Sequence, residues 1–232
     1  MKQLALDIAR PPAPALDNFV PGRNAELVVA LYAIANGASS ERFIYMWGEP
    51  GSGRSHLLRA VVNAAQAAGR EALLFESGAS TFETSDEMLC AVDDVHRLTP
   101  AAQIAFFNLH NRIRAGTGTL IASGDVAPAG LALRADVTLR ADVALRADVI
   151  TRLGSGLVYQ VHGLNEDEKV AALRRHAQAR GFDLSPEVVT YLLRRVQRDL
   201  PSLLALLDAL DRYSLASRRA ITLPLLRELL NE

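Results

Sequence analysis

The chain has 232 residues, half of them apolar, and its 25 basic and 26 acidic side chains leave a net charge of −1. That length suits one large domain or a core with a small appendage, and the apolar share can bury a substantial core. Near-neutrality excludes the bulk basic character that drives nonspecific DNA binding, and a single cysteine, Cys90, excludes intrachain disulfides and most cysteine-based metal sites. Any link to DNA is therefore expected to pass through a protein partner. No stretch reaches about eighteen uninterrupted apolar residues, and the N-terminus does not read as a basic segment followed by an apolar one. Neither a membrane span nor a secretory signal is expected, and the default location is cytoplasmic.

Residues 1–10 read as a free tail, and Pro11, Pro12 and Pro14 as a stiff spacer, so the folded part is expected from Leu16. Helical and strand patterns then alternate: a helix over 24–36, a strand over 42–47, a helix over 55–68, strands over 71–76 and 88–93, a helix over 99–114, and strands over 118–123 and 157–161. This alternation predicts an α/β fold, a parallel sheet covered by helices. Past Gly163 only helical signals remain. Asn165 with Glu168 forms a capping box, Gly181 stops that helix, Ser185-Pro186 opens the next, and Pro201 and Pro224 stand near two later starts. The predicted division is a tail at 1–15, an α/β core at 16–162 and a small all-helical domain at 163–232.

Between the first strand and the second helix lies Gly48-Glu-Pro50-Gly51-Ser52-Gly53-Arg54-Ser55, the phosphate-loop pattern G-x-x-x-x-G-K-[ST] with arginine in the lysine position. Main-chain N–H groups and the positive end of the following helix can cradle a diphosphate whatever that side chain is. Arginine's planar fork is bulkier than an ammonium, so binding is expected to survive where catalytic positioning does not. The strand Met88–Val92 ends in Asp93-Asp94, where a phosphate-loop protein delivers a carboxylate to a Mg²⁺ shell; Asp93 and Ser55 are the metal-side candidates. The strand Thr119–Ser123 ends in a hydroxyl that either sits between Asp93 and a γ-phosphate as a sensor or is ordinary turn chemistry before Gly124-Asp125.

Phe107 and Asn111, four apart on the helix after Asp93, share a face and are placed to contact a partner subunit. His56, His96, His110, His162 and His176 show no metal-ligand spacing, and the apolar neighbours of Cys90 predict a buried structural thiol. Residues 133–150 repeat a hexad, Leu-Arg-Ala-Asp-Val followed by Thr, Ala or Ile, so that Arg134, Arg140 and Arg146 precede Arg152 at equal spacing. Six residues advance a helix by about 600°, so these arginines build no stripe. Two copies are read as a tandem expansion, a solvated and partly looped insertion that holds all three of the earlier arginines.

Together these residues resemble the AAA+ ATPases and, within them, the clade related to the replication initiator DnaA. The resemblance runs from about Leu16 to the end of the chain and rests on Asp17–Asn24, the 48–58 run, Asp93-Asp94, Asn111-Arg112-Ile113 and Thr151-Arg152-Leu153. It implies bound ADP or ATP, with Mg²⁺ as an optional companion, held by Phe19 and Val20 against the base and by Gly48, Pro50, Gly51, Ser52, Gly53, Arg54, Ser55, His56, Asp93 and Ser123. It further implies that Arg152, which alone among the four arginines precedes Leu-Gly-Ser-Gly, acts in trans as an arginine finger on a neighbour's nucleotide. Pro201 stands where many relatives carry a nucleotide-sensing arginine, with Arg198 as the possible substitute.

The tail segment Gln3-Leu4-Ala5-Leu6-Asp7-Ile8 resembles the peptide by which bacterial proteins dock on the replication sliding clamp, with Gln3, Leu4, Leu6 and Ile8 as the contacts. A first β-strand is the other reading, and the proline spacer counts against it. The implied function is regulatory: a nucleotide-bound protein, nucleoid- or replisome-associated, that docks on the DNA-loaded clamp and promotes hydrolysis of ATP on DnaA, preventing re-initiation of replication. It is expected to have weak turnover of its own, no DNA-binding module after the lid, and compatibility with a homo-oligomer. The alternatives are a self-sufficient AAA+ ATPase such as a helicase loader, and an adaptor in which nucleotide is structural cement.

Overall fold

A computed structural model describes residues 13–137, 145–195 and 200–230. The chain forms two compact units, Pro14–Gly163 and Leu164–Glu232. In the first, five strands make one parallel sheet: β1 (Phe43–Trp47), β2 (Ala72–Phe75), β3 (Leu89–Val92), β4 (Thr119–Gly124) and β5 (Leu157–Gln160), in the order β2-β3-β4-β1-β5. Central strands of a parallel sheet are covered on both faces, which is why β3 and β4 are buried at every position and read as continuous apolar runs. The edge strand β5 alternates instead between half-buried and exposed residues.

Successive residues of a strand face opposite ways, so β1 and β3 feed two cores. Ile44, Met46, Leu89 and Ala91 join α1 (Ala25–Ala35) and α2 (Arg54–Ala67) on one face. Tyr45, Cys90 and Val92 join α3 (Pro100–Ala115), Leu131 of α4 (Pro128–Val137) and α5 (Ala147–Leu153) on the other. Cys90 is fully buried, and burial pushes its thiol pKa up. In register, Phe43 faces Leu120 and Trp47 faces Gly124 across β1 and β4, while Leu89 faces Thr119 across β3 and β4. The C-terminal ends of β1, β3 and β4 therefore lie side by side.

Two sequence expectations change here. The third hexad is not part of a solvated insertion: Leu145, Val149 and Ile150 are buried at 6%, 0% and 8% exposure, and the Arg146 N–H donates to Gln103 Oε1 at 2.8 Å. Leu145, just before α5, and Val149 and Ile150 within it join the core that α3 builds, and burial of these side chains outweighs the sequence identity of the copies. Of the first hexad, Leu133–Val137 lies in α4, and residues 138–144 fall outside the described residues. Pro14, the last proline of the spacer, is also fastened to the core. Asn63 Nδ2 donates to Pro14 O at 2.8 Å and His56 Nε2 lies 3.2 Å from Ala15 O, contacts that use carbonyls and so are open to proline. Gln3, Leu4, Leu6 and Ile8 lie outside the described residues.

The second unit holds α6 (Glu166–Ala179), α7 (Pro186–Arg195), α8 (Leu200–Ser217) and α9 (Leu223–Leu229) around a leucine-rich core. Its caps follow the sequence signals. Glu168 N–H donates to Asn165 Oδ1 and Asn165 N–H to Glu168 Oε2, both at 2.8 Å, closing the capping box. Gly181 ends α6 with φ +83°, a conformation that a side chain resists.

Candidate nucleotide site

The sheet brings three loops together at the C-terminal ends of its inner strands. The 48–53 loop leaves β1 and turns into α2. Gly48 has no space for a side chain, since a Cβ there would lie 2.3 Å from Val161 O. Gly51 and Gly53 have φ +80° and +103°, and Gly51 faces open space. α2 starts without a side-chain cap, so N–H groups of its first turn point out of the helix with its positive end behind them. Ser52 is 6% exposed, and its Oγ has no hydrogen-bond partner among the described residues. Phe19 packs over Gly53, where a Cβ would meet its ring at 2.8 Å, and its ring centroid lies 5.7 Å from that of His56. Val20 is half-buried, as are Ser55 and His56, while Pro50 is exposed. Burial pushes the His56 pKa down, against the pull of its contact with Ala15 O.

The second loop leaves β3. Asp93 is 6% exposed and accepts a hydrogen bond from Ser123 Oγ at 2.5 Å, while the same Oγ accepts from the Asp94 N–H at 2.9 Å. Ser123 is brought to Asp93 as its spacing suggested, but its one proton is given to that carboxylate. The Asp94 backbone is held with φ +50°, uncommon for a residue with a side chain and most tolerable for Asp or Asn. Its carboxylate faces three cationic or titratable groups: Arg54 Nη1 at 3.5 Å, Arg97 Nη1 at 3.8 Å and His96 Nδ1 at 3.9 Å. Burial lowers the His96 pKa, with Asp125 and Asp94 pulling the other way. Arg54, expected at the phosphates, is thus drawn toward Asp94.

Arg152 belongs to a different place. It stands in the last turn of α5, and its guanidinium lies over the Phe107 ring at 5.3 Å. It lines a small, half-open pocket with Phe43, Tyr45, Phe106, His110 and Leu120. His110 is 3% exposed, its ring 4.5 Å from that of Phe43, and its pKa is lowered to about 4 by burial first and then by Arg152 and Arg114. Phe43 opens β1, five residues before Gly48, which at about 3.3 Å per residue sets this cluster roughly 15 Å along the strand from the phosphate loop. Phe107 therefore contacts Arg152 of its own chain; Asn111 is half-buried beside it on the same helix.

Comparison with known proteins gives the fold a lineage. Residues 166–230 match the family described as "Hda, lid domain". A Haemophilus influenzae protein described as uncharacterized is 32% identical over 241 residues, covering 99% of each chain. Domain III of Thermotoga maritima DnaA superimposes with a TM-score of 0.67 at 17% identity, over 99% of this chain and 98% of that one. AMPPCP-bound DnaA from Aquifex aeolicus gives 0.65 at 21% identity, over 89% and 70%.

Residues 166–230 are an Hda-family lid, and the chain has the fold of DnaA domain III.

Within this Hda-type lid, Pro201 stands in the first turn of α8, and Arg198 lies outside the described residues. Among the described residues there is no cluster of three or more His, Cys, Asp or Glu disposed to hold a metal, and no helix long and apolar enough to cross a membrane. Sequence reasoning passed over Asn24, which is 3% exposed: its amide donates to His162 O and accepts from the His162 N–H, each at 2.8 Å. That clamp ties the segment carrying Phe19 to the end of β5. A polar residue at the start of an apolar helix was the available signal, though it names no partner 138 residues away.

Proposed function

We propose that this chain is a nucleotide-holding regulator that docks on the DNA-loaded sliding clamp through residues 3–8 and promotes hydrolysis of ATP on the initiator DnaA. The residues present fit a nucleotide. Gly51, Ser52, Gly53, Arg54 and Ser55 would hold the diphosphate, with Phe19, Val20 and His56 beside the base and sugar, and with Ser55 and Asp93 available to a Mg²⁺. The bound group would supply the negative charge that the uncapped first turn of α2 and the unpartnered Ser52 hydroxyl lack. Arg54 is occupied by Asp94, Asp94 is one methylene shorter than the glutamate that orients water, and Ser123 has spent its proton on Asp93. Each of these argues for holding nucleotide over turning it over.

The observation that carries the proposal is the position of Arg152. It sits near the start of β1, away from its own phosphate loop, with a half-buried guanidinium that has a ring beneath it and, among the described residues, no carboxylate paired to it. An arginine so placed is of no use to its own nucleotide and is available to another subunit's. A guanidinium contributed across a subunit boundary stabilises charge on the transferring phosphoryl group and is worth on the order of 10³ or more in rate. Arg152 would thus complete a site on ATP-bound DnaA, and the clamp peptide would confine that encounter to DNA already being replicated.

The test is ATP hydrolysis by DnaA with and without this protein and clamp-loaded DNA. Stimulation that requires both additions supports the proposal; hydrolysis unaffected by the protein refutes it. The competing reading, a self-sufficient ATPase such as a helicase loader, draws on the intact Asp93–Ser123 pair. Rapid ATP turnover by the isolated protein would favour it.

A further inference from the structure

We propose that His110 is the positioning residue for Arg152: its buried imidazole offers the guanidinium an acceptor that fixes the direction in which the arginine is presented to a partner's nucleotide. This rests on the trans-acting role proposed above and assigns the aim of that arginine to a second side chain.

α3 carries Phe107 and His110 three residues apart, on adjoining parts of one face. The Arg152 guanidinium lies over the Phe107 ring at 5.3 Å and shares with His110 the half-open pocket at the start of β1. A ring face attracts a cation without ordering its N–H groups, so Phe107 sets where the guanidinium sits and leaves its rotation free. A hydrogen-bond acceptor is directional and supplies what the ring lacks. Of the other side chains lining the pocket, Tyr45 is the polar one, and its hydroxyl proton goes to Val126 O at 2.8 Å. The rest of the lining is apolar.

Packing alone does not account for an imidazole here. His110 is 3% exposed, with the Phe43 ring 4.5 Å away, and neither of its ring nitrogens has a hydrogen-bond partner among the described residues. Phenylalanine would fill similar space with no polar atom to bury, so a histidine at this position lowers stability unless a ring nitrogen is used. A neutral imidazole carries one N–H and one acceptor nitrogen; a protonated one carries no acceptor. Burial, then Arg152 and Arg114, lower the His110 pKa to about 4, so at neutral pH the acceptor is present and no second positive charge opposes the guanidinium. Contact with Phe43 of β1 holds that acceptor against the sheet. Arg152 itself stands in the last turn of a helix of 7 residues, too short to fix the aim of a long side chain unaided.

The experiment compares the full-length wild type, His110→Phe and His110→Gln. Phenylalanine keeps the ring and removes the acceptor, whereas glutamine keeps a neutral acceptor without the ring. One readout is hydrolysis of DnaA-bound ATP on clamp-loaded DNA, taken as the maximal rate and as the concentration of this protein that gives half of it. The other needs no partner: proton exchange at the Arg152 Nε–H by NMR, its signal assigned by its loss in Arg152→Ala. His110→Phe is expected to lower the maximal rate and to speed Nε–H exchange, each at least about tenfold, with the half-maximal concentration within about twofold of wild type. His110→Gln is expected to stay within about threefold of wild type on both readouts. Unchanged rate and exchange in His110→Phe overturn the inference. An equal loss in both variants also overturns it, since it would mark His110 as a packing residue. If His110→Phe melts more than about 10 °C below wild type, the smaller His110→Met takes its place and is read by the same criteria. Failure of the wild type to stimulate DnaA overturns the trans-acting function, and the exchange measurement by itself then upholds or overturns the seating of Arg152 by His110.

Discussion

Replacing Arg152 with alanine separates what that residue does for its own fold from what it does for a partner. Its contact with the Phe107 ring at 5.3 Å is a cation–π pair, worth about 0.5–1 kcal/mol at a partly exposed position. No ion pair is lost among the described residues, and the cavity it lines with His110 and Phe43 opens further to water. The stability cost is therefore about 1 kcal/mol, or a fall in Tm of roughly 2–4 °C for a chain of this size. Loss of an arginine acting in trans costs on the order of 10³ in the stimulated rate, about 4 kcal/mol of transition-state stabilisation. The assays are a thermal melt, a clamp pull-down and DnaA-bound ATP hydrolysis on clamp-loaded DNA. Melting and docking should barely change while stimulation disappears. The same variant should also raise the His110 pKa, followed by NMR, because one of the charges that lowers it has been removed. Retained stimulation refutes the trans assignment; a Tm lower by well over 10 °C would mean that Arg152 is a structural element whose removal says nothing specific about catalysis.

Three further outcomes follow from the same contacts. Changing Gln3 and Leu4 to alanine should abolish clamp binding and leave Tm unaltered, because the sequence reads this segment as a tail tethered outside the core; a matching loss of stability refutes the docking role. The folded-state pKa of His110, about 4, lies below its ordinary 6.5, so the unfolded chain takes up the proton first. The His110 contribution is complete above pH 6.5 and is lost as pH falls toward 4, up to about 3 kcal/mol, and His110→Phe should flatten acid melting curves over that window. Deleting residues 139–144, the second copy of the hexad and read from the sequence as an insertion, should cost less than about 1 kcal/mol, since the length of an insertion enters only logarithmically. Leu145→Ala, by contrast, should cost about 2–5 kcal/mol, because Leu145 is 6% exposed in the core; urea titrations compare the two.

Much of the candidate site was legible because its chemistry is local. Gly51 and Gly53 announce positive φ, the loop stands between a strand and a helix, and Asp93 ends an apolar strand; each signal spans a few residues and survives without tertiary context. Lid caps were readable for the same reason, since Asn165 and Glu168 satisfy each other three residues apart. The repeat was misread because three nearly identical hexads carry nearly identical local information. Their difference lies in which copy finds the apolar face of α3, and Leu145, Val149 and Ile150 are distinguished from Leu133 only by burial.

The sequence by itself determined the alternation of elements, the parallel sheet, the phosphate loop and the substitution of Arg54, because backbone propensity, side-chain periodicity and turn chemistry act over a handful of neighbours. Tertiary structure alone decided which charges meet. Arg54 finds Asp94 across 40 residues of chain, Asn24 finds His162, and Arg152 comes to rest over Phe107 near the start of β1. Such encounters are set by strand order and register, which place distant segments within a few ångströms, where Coulomb and hydrogen-bond energies first become significant.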